Sequence, residues 1–329
     1  MTGFPSNLPD QSILESACTE TRKVRKMEVL CASDSRYLPH AATMLCSLLQ
    51  HNSVFRIHFL YSSVDPRQLI KLKSLVKRYG SEIVFYEVAP QDLKDLRVDK
   101  WGSLAVYYRL LAPRLLPAEL NKVLYLDSDI VVRRSLTELW NTDISDCPLA
   151  AVSNYEDEAR KALGLPEGTK YFNSGVLLIN LSFWRRNSVA ERAISFVKDN
   201  PDKVQYWDQD ALNAILSNQW VELPPCWNWQ YWWRTSTPET EREPAIVHFI
   251  AGDKPWHWSN THFFKQEYHR YRVQTPWRRY KLEGQPGLWL RLGRGLKSLA
   301  RTILPAGFRQ WLRSRLAPAS SGRPPSKAF

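Results

Sequence analysis

Strand-like and helix-like segments alternate along the middle of the chain, and this alternation restricts its fold more than any other feature. An apolar run at 27–32 is followed by a helical pattern at 39–50, a strand-like run at 54–63, a helical pattern at 66–79 and a strand at 82–88. Strands joined through helices run parallel in one sheet. The pattern therefore predicts an α/β fold with a mostly parallel central sheet and helices on both of its faces.

The alternation continues to about residue 276 without an internal repeat. We expect a helix at 105–112, strands at 122–126, 130–132 and 175–181, helices at 182–198 and 208–216, and a strand at 245–250. This organisation predicts a loosely ordered extension at 1–26, one α/β domain at 27–276 and a separate tail at 277–329.

Charge sets the tail apart from the domain. The net charge is +12, and residues 277–329 contain twelve Lys or Arg residues and a single acidic residue, Glu283. Residues 1–276 contain 33 basic and 32 acidic residues and are nearly neutral. Attraction to an anionic surface is therefore predicted for the tail rather than for the whole protein.

The tail has the pattern of a basic amphipathic helix. Leu and Ile recur every three or four residues from Leu288 to Ile303 with Arg and Lys between them, and a second such stretch ends at Leu316. An apolar stripe bordered by arginines predicts a helix that lies on an anionic membrane surface. The alternative is a solvated helix packed on the domain. Nucleic-acid binding is not expected, because the stripe is apolar rather than continuously basic.

Cysteine usage and the N-terminus predict a cytoplasmic location. The five cysteines are scattered and odd in number, with no Cys-x-x-Cys pair, which is typical of a reducing compartment. The first residues lack the pattern of a secretory signal, and no apolar stretch approaches the ~20 residues of a membrane span. Together with the tail, this predicts a cytoplasmic protein that is peripheral on the inner face of the cell membrane.

Two carboxylates follow the predicted strand at 122–126. Ligands of open α/β sheets bind beyond the carboxyl ends of the strands, where Asp127 and Asp129 flank Ser128. Two hard oxygen ligands suit Mg²⁺ or Mn²⁺ held together with a substrate diphosphate. The alternative is a solvated turn, but apolar strands on both sides make unused charge costly.

A second group of polar residues follows the strand at 245–250. His248 on its own is better explained as a hydrogen-bonded core histidine than as a ligand. Lys254 offers a positive charge suited to phosphate, and Ala251 and Gly252 allow backbone amides to approach an anion. An imidazole and a lysine on one short loop complement the two aspartates.

Two further motifs have alternative interpretations. The sequence Asp208-Gln209-Asp210 opens a predicted helix, where acidic residues also favour the N-terminus simply as helix-stabilising charges. Six tryptophans lie between Cys226 and Trp258. They are either core residues or the flat apolar surfaces of a groove for a carbohydrate acceptor.

Six motifs occur in a recognisable order: VLCASDSRYL, YYRLL, KVLYLDSDIVV, YFNSGVLLINL, WDQDALN and HFIAGDKPWH. They closely resemble those of the retaining glycosyltransferases of family 8, particularly the bacterial enzymes that add α-linked galactose or glucose to lipopolysaccharide cores. The resemblance extends over roughly Met27–Trp258. It implies a GT-A nucleotide-sugar-binding fold, a UDP-sugar donor, and Mn²⁺ (or Mg²⁺) as the cofactor.

The resemblance also implies a role for individual residues. The metal ligands would be Asp127, Asp129 and His248. Uridine would be contacted by Ala32, Asp34 and Tyr37, and the donor sugar would be surrounded by Arg109, Asn173, Asp208 and Gln209. The remaining donor groups would be contacted by Ser128, Ala251, Gly252 and Lys254, with Lys254 at the β-phosphate. Asp208 and Gln209 are the predicted catalytic residues. Gln209 is either a weak nucleophile or a group that stabilises an oxocarbenium ion.

The chain departs from the family pattern at two positions. Arg36 stands where the family usually has Asn, close to the predicted uridine contacts. Ala251 stands where the family usually has Gly, and the glycine of this chain is displaced to Gly252. Because the phosphate contact expected there is a backbone amide, Ala251 can still provide it.

These features predict a metal-dependent UDP-sugar hexosyltransferase. It would transfer glucose or galactose, with retention, from UDP-glucose or UDP-galactose to a lipopolysaccharide-type or lipid-linked glycan acceptor. One alternative is a glycosyltransferase that acts on a protein or a soluble acceptor. The other is a catalytically silent membrane-surface binding protein that retains the GT-A fold.

Overall fold

The computed structural model describes residues 27–53, 55–96, 98, 103–154, 156–230, 243–252 and 254–285. The predicted extension at 1–26 and the amphipathic pattern from 288 onward lie outside these residues. The described residues divide into two compact units. The larger comprises those between 27 and 255 together with 260–280, and the smaller comprises 256–259 and 281–285.

A seven-stranded sheet forms the centre of the larger unit. Its strands are β1 (Met27–Asp34), β2 (Phe55–Ser62), β3 (Glu82–Glu87), β4 (Lys122–Leu126), β6 (Leu149–Ser153), β7 (Phe172–Asn180) and β8 (Val221–Glu222). Two further strands, β5 (Ile130–Val132) and β9 (Ile246–His248), pair antiparallel in a small second sheet. The order of the large sheet is β3-β2-β1-β4-β7-β6-β8.

Most strand pairs of the large sheet are parallel, as the sequence predicts. β1 pairs parallel with β2 and β4, and β2 pairs parallel with β3. Only β7 runs antiparallel to its neighbours, β4 and β6. The carboxyl ends of β1, β2 and β4 therefore meet at one edge of the sheet, which is where the predicted site residues follow the strands.

Nine α-helices lie in the described part of the chain. They are α1 (Leu38–His51), α2 (Pro66–Arg78), α3 (Ala112–Leu115), α4 (Thr137–Trp140), α5 (Asp157–Ala162), α6 (Leu181–Arg186), α7 (Val189–Asp199), α8 (Trp207–Ile215) and α9 (Lys265–Arg272). None of them is long and apolar enough to cross a membrane.

Both faces of the sheet are buried, because side chains of consecutive residues in a strand point to opposite faces. In β1, Val29 and Cys31 belong to the core that α1 and α2 cover. Leu30 and Ala32 belong to the core on the other face, which α6, α7 and α8 cover. The helices thus form two layers, with the sheet between them.

Two predicted helices differ from those observed. Residues Leu104–Leu111 form a 3-10 helix rather than an α-helix, and the α-helical turn begins only at Ala112. Pro113 has no N–H to donate to Arg109 O, so Ala112 N donates to it instead. The helix expected at 182–198 is two helices, because Ser188 adopts the left-handed conformation with φ 48° between α6 and α7.

Two further differences concern strands, and one concerns a helix. The strand expected at 245–250 is limited to β9 and belongs to the small sheet with β5. It is His248 that ends this strand, so the loop that carries Lys254 begins directly at the predicted ligand. The sequence interpretation also missed β6 and the helix α5 that follows it. Both lie in a stretch where the apolar residues show no extended periodicity.

Candidate active site

Two carboxylates and an imidazole converge where β4, β5 and β9 meet. Asp127 and Asp129 lie in the turn from β4 to β5, and His248 pairs with Ile130 at the start of β5. His248 Nε2 is 3.2 Å from Asp129 Oδ1 and 3.8 Å from Asp127 Oδ2. One ligand atom from each residue lies within 4.8 Å of the others. The structure therefore brings the predicted metal ligands together.

The donor set fits a hard divalent ion. Carboxylate oxygens suit Mg²⁺ and Mn²⁺, and the added imidazole favours Mn²⁺ of the two. His248 Nδ1 is 2.9 Å from Asn228 Oδ1, and an amide oxygen can only accept a hydrogen bond. Nδ1 therefore donates to Asn228, which leaves Nε2 as the ring atom that would ligate an ion.

Asn228 reaches His248 because its own segment is attached to β9. Trp229 N donates to Ile246 O, and His248 N donates to Trp229 O, both at 2.9 Å. The side chain of Asn228 is fully buried. The orientation of the imidazole is therefore fixed by backbone pairing as well as by the Asn228 amide.

The backbone of β7 forms a wall of this site at Gly175. Asp127 N donates to Gly175 O at 2.9 Å. A Cβ at position 175 would overlap the ring of His248 and lie 2.8 Å from Asp127 Oδ2. Glycine is required here because two ligand side chains approach the main chain closely.

Lys254 lies beside the metal ligands. Its Nζ forms an ion pair with Asp129 and donates to Phe249 O at 2.6 Å. Burial by itself would raise the pKa of Asp129, but the charges of Lys254 and His248 outweigh burial and hold that pKa well below its usual range. Asp129 is therefore a carboxylate at any physiological pH, as a metal ligand must be.

Arg109 joins the metal site to the first turn of α8. Its side chain is buried, with Nη2 at 2.9 Å from Asp127 Oδ1 and Nε at 3.1 Å from Asp208 Oδ2. The guanidinium also donates to Ser174 O and lies 4.1 Å from the centre of the Tyr125 ring. One buried cation thus neutralises a predicted metal ligand and a predicted catalytic residue at the same time.

Asp208 has the most raised carboxyl pKa at the site. Burial raises its pKa to about 7, although Arg109 acts in the opposite direction. The preceding residue, Trp207, has a positive φ of 50°. A buried titratable carboxyl beside a strained backbone residue is typical of a functional site.

A chain of buried amide groups links the predicted metal ligand His248 to the second predicted catalytic residue, Gln209. Asn228 Nδ2 donates to Asn173 Oδ1 at 2.9 Å, and Asn173 Nδ2 donates to Gln209 Oε1 at 3.0 Å. Gln209 Oε1 also accepts from Ser174 N at 3.0 Å. His248 and Gln209 are therefore held in one hydrogen-bonded frame.

The frame continues from Gln209 to Asp210. Gln209 Nε2 is 3.0 Å from Tyr171 Oη, which donates to Asp210 Oδ1 at 2.6 Å. Asp210 Oδ2 accepts from the backbone N–H groups of Gln205 and Tyr206, each at 2.6 Å. Asp210 thus anchors the start of α8 and orients Tyr171, whereas its neighbour Asp208 faces Arg109.

The residues predicted to contact uridine lie at the end of β1. Ser128 Oγ donates to Ala32 O at 3.0 Å and so ties the end of β1 to the turn after β4. Asp34 Oδ1 accepts from Tyr37 N at 2.9 Å. The guanidinium of Arg36 lies 5.1 Å from the centre of the Tyr37 ring, so this departure from the family pattern covers one of the predicted contact residues.

Ala251 and Gly252 lie exposed in the loop after β9. Ala251 has a φ of 51°, in the left-handed region that favours glycine. This conformation explains why glycine is the usual residue at this position of the family pattern. None of the described contacts joins either residue to the metal ligands, and their predicted roles in donor binding stay predictions.

Three of the four described tryptophans of the tryptophan-rich stretch are core residues. Trp227, Trp229 and Trp256 are each at most 3% exposed, and Trp227 belongs to the core beneath α1 and α2. These three rings do not form an acceptor groove. Trp258 is 39% exposed, while Trp232 and Trp233 lie outside the described residues.

Three residues of the site were not recognised from the sequence as site residues. Gly175 and Tyr171 occur within the motif YFNSGVLLINL, and Asn228 stands between two tryptophans. The glycine within a strand was a usable signal, because such a glycine often marks a close approach of other groups to the backbone. No local pattern indicates the partners of Tyr171 or Asn228.

The chain matches the model of glycosyl transferase family 8 over residues 28–260. It belongs to this family. General stress protein A of Bacillus subtilis is 33% identical over 78% of this chain and 96% of its own length. The lipopolysaccharide 1,2-glucosyltransferase of Escherichia coli is 29% identical over 74% of this chain and 77% of its own length. The chain spans 32% of two streptococcal glycosyltransferases that it also matches.

The fold is that of the GT-A glycosyltransferases. The galactosyltransferase LgtC, solved in complex with donor and acceptor sugar analogues, superimposes with a TM-score of 0.68 at 26% identity. The match covers 80% of this chain and 99% of LgtC. The architecture and the family that the motifs implied are thereby confirmed.

Replacing Gly175 with alanine tests how closely β7 approaches the metal ligands. Because the added Cβ overlaps the His248 ring, we expect Gly175→Ala to weaken Mn²⁺ binding by about 10- to 100-fold, as for other changes that displace a ligand without removing it. Isothermal titration with Mn²⁺ measures this.

Gly252→Ala is the matched control, since a Cβ there meets no atom within 4 Å. Its Mn²⁺ affinity should stay within about twofold of wild type. Wild-type Mn²⁺ affinity in Gly175→Ala would show that the ligands do not bind an ion in the arrangement described.

Proposed function

We propose that the protein is a retaining hexosyltransferase that uses a UDP-sugar donor and a divalent metal ion, Mn²⁺ or Mg²⁺. The observation that carries the proposal is the frame that holds His248, beside Asp127 and Asp129, in fixed register with Gln209. A site of this kind serves a substrate that has both a metal-binding diphosphate and a reacting sugar. The names of one relative and of LgtC support glucose or galactose as that sugar.

In the proposed reaction, the bond between the sugar C1 and the β-phosphate oxygen breaks, and its electron pair stays on UDP. The oxygen of an acceptor hydroxyl forms the new bond to C1 on the same face, and the hydroxyl proton passes to the departing phosphate oxygen. A bound ion would stabilise the charge that grows on the diphosphate. Asp127, Asp129 and His248 would hold that ion.

Lys254 would act on the same developing charge. Its ammonium group is already placed at Asp129, so a short movement brings it to a diphosphate bound at these ligands. A positive charge near the leaving group interacts more strongly with the transition state than with the intact donor. Lys254 is therefore proposed to accelerate the chemical step rather than to increase ground-state affinity.

The contacts of Gln209 favour an orienting and electrostatic role over nucleophilic attack. Its Oε1 accepts hydrogen bonds from Asn173 and from Ser174 N, which reduces the electron density available to attack C1. A fixed amide dipole can still stabilise an oxocarbenium ion while the acceptor approaches. Asp208 and Arg109 would then form hydrogen bonds with hydroxyl groups of the donor sugar.

A lipopolysaccharide-type or lipid-linked glycan is the proposed acceptor. The name of the Escherichia coli relative supports it, and so does the basic amphipathic pattern of residues 288–316, which suits attachment to the membrane where such acceptors lie. The tail is accordingly proposed to hold the enzyme at the cytoplasmic face of an anionic membrane. The arrangement of Asp127, Asp129 and His248 around one point supports an enzyme over a silent binding protein, which would not need it.

Activity should depend on the charge of Asp129. We expect Asp129→Asn to lower the rate of UDP release from UDP-glucose or UDP-galactose by at least about 100-fold, because it removes a charged metal ligand. The assay uses purified protein with Mn²⁺ and a panel of UDP-sugars. Asp146→Asn, at an exposed carboxylate, is the control and should match wild type. Undiminished turnover in Asp129→Asn, or in excess EDTA, contradicts the proposal.

Lys254→Met should lower kcat more than it raises the KM for the donor. The physical reason is that charge on UDP increases as the glycosidic bond breaks, so the loss falls mainly on the transition state. Lys254→Arg keeps the charge and should recover most of kcat. Steady-state kinetics with saturating acceptor measure both parameters. A rise in KM with unchanged kcat would refute the proposed role.

Removing residues 286–329 should abolish binding to anionic vesicles while leaving hydrolysis of the UDP-sugar largely intact. The predicted donor-site residues end at Lys254, whereas this segment contains nine basic residues and no acidic one. Vesicle co-sedimentation over a NaCl series measures the effect. Equal pelleting of the truncated protein would exclude attachment by the tail, and joint loss of hydrolysis would assign the tail to the folded core.

A further inference from the structure

A groove of about 490 Å³ lies on the larger unit beside the first turns of α1 and α2. Arg67, Gln68 and Lys71 of α2 line one side, and Trp277 and Tyr280 line the other. Asp65 lies at the rim, where its carboxylate accepts from Arg67 N and so caps the helix. Neither Arg67 nor Lys71 has an acidic partner among the described residues.

The two elements that border the groove are unusually basic. Helix α2 contains five Lys or Arg residues and no acidic residue, and segment 270–280 contains four Arg residues and no acidic residue. The domain as a whole is balanced in charge. The nine cations therefore form a local excess, which we call the α2 face.

Contacts show that these elements run side by side. Trp277 and Tyr280 meet the start of α2 across the groove, and Arg78 Nη2, at the end of α2, donates to Gln274 O at 3.1 Å. Both ends of α2 thus lie beside the part of the segment from Gln274 to Tyr280. The basic residues of both belong to one continuous surface.

Exposed apolar side chains lie among these cations. Ile70 is 63% exposed and Val273 is 51% exposed. Ile70 follows Arg67 by three residues and precedes Ser74 by four, so all three lie on one side of α2. Exposed apolar residues surrounded by Lys and Arg are typical of surfaces that lie on anionic bilayers, and half-buried Trp and Tyr residues are enriched at the same interface.

We propose that the α2 face docks on an anionic lipid bilayer and that its groove receives a lipid phosphate between Arg67 and Lys71. Both residues are exposed and lie one turn apart on the same helix. A phosphodiester would accept hydrogen bonds from the guanidinium and the ammonium group. This inference rests on the membrane attachment proposed for the tail and assigns a second contact to the folded domain.

Charge excludes the tail itself as the occupant of this face. Residues 286–329 have nine basic residues and no acidic one, so the tail and the α2 face repel each other. Because the tail and the α2 face are both positively charged, the same anionic surface can attract both of them. Contact through both would restrict the orientation of the domain on the membrane more than contact through one element alone.

The test compares two full-length double variants that each remove one Arg and one Lys. Arg67→Gln/Lys71→Gln removes the cations of the groove. The control is Arg186→Gln/Lys203→Gln; Arg186 ends α6, Lys203 follows α7, and both helices cover the opposite face of the sheet. All four residues are exposed. Thermal unfolding establishes that both variants are folded.

Co-sedimentation with vesicles of phosphatidylglycerol and phosphatidylcholine should show about 30-fold weaker partition for Arg67→Gln/Lys71→Gln, since each basic residue at an anionic surface contributes about 1 kcal/mol. The control should change by no more than about twofold. If vesicle partition fell equally in the two variants, the effect would be due to net charge alone, and the proposal would be overturned. So would wild-type partition of the groove variant, or equal binding of wild type to pure phosphatidylcholine.

Hydrolysis of UDP-sugars in solution separates this inference from the proposed function. The groove variant should hydrolyse the donor at the wild-type rate, because none of its substituted residues contacts the metal ligands or Gln209. If wild type itself releases no UDP, the proposed function fails while the vesicle result still decides the docking surface.

Discussion

The buried guanidinium of Arg109 is the interaction on which the arrangement of the site depends. A buried charge is stable only when opposite charges and acceptors surround it, and here Asp127, Asp208 and Ser174 O do so. The same requirement draws the turn after β4, the start of α8 and the start of β7 toward one point. The electrostatics of one side chain thus link the predicted metal ligand Asp127 to the predicted catalytic residue Asp208.

Much of the architecture follows from local sequence patterns. The alternation of strands and helices, the mostly parallel sheet and the position of Asp127 and Asp129 at a strand end were predictable from local patterns. The approach of His248 to them was implied by the family resemblance, because β9 lies outside the large sheet and pairs with β5. The division between α6 and α7 was not predictable, since the apolar periodicity continues across Ser188, where only the backbone conformation interrupts the helix. The periodicity of 105–112 likewise does not distinguish a 3-10 helix from an α-helix.

The supporting residues of the site were harder to predict than the ligands. Asn228, Tyr171 and Gly175 act through partners that lie far away in the sequence, so no spacing within a single element reveals them. The requirement for glycine at 175 arises only when β9 brings His248 against β7. The residue type alone indicates what an acidic or basic side chain can do in a site. The role of an amide side chain or a glycine depends on which residues the fold places beside it.

The links between His248 and Gln209 are neutral amide groups, Asn228 and Asn173. Amides neither gain nor lose protons across the physiological range, so their alignment is the same in acid and in alkali. A change of activity with pH would then point to the ionisable groups around these amides, among them Asp208, whose pKa burial raises to about 7.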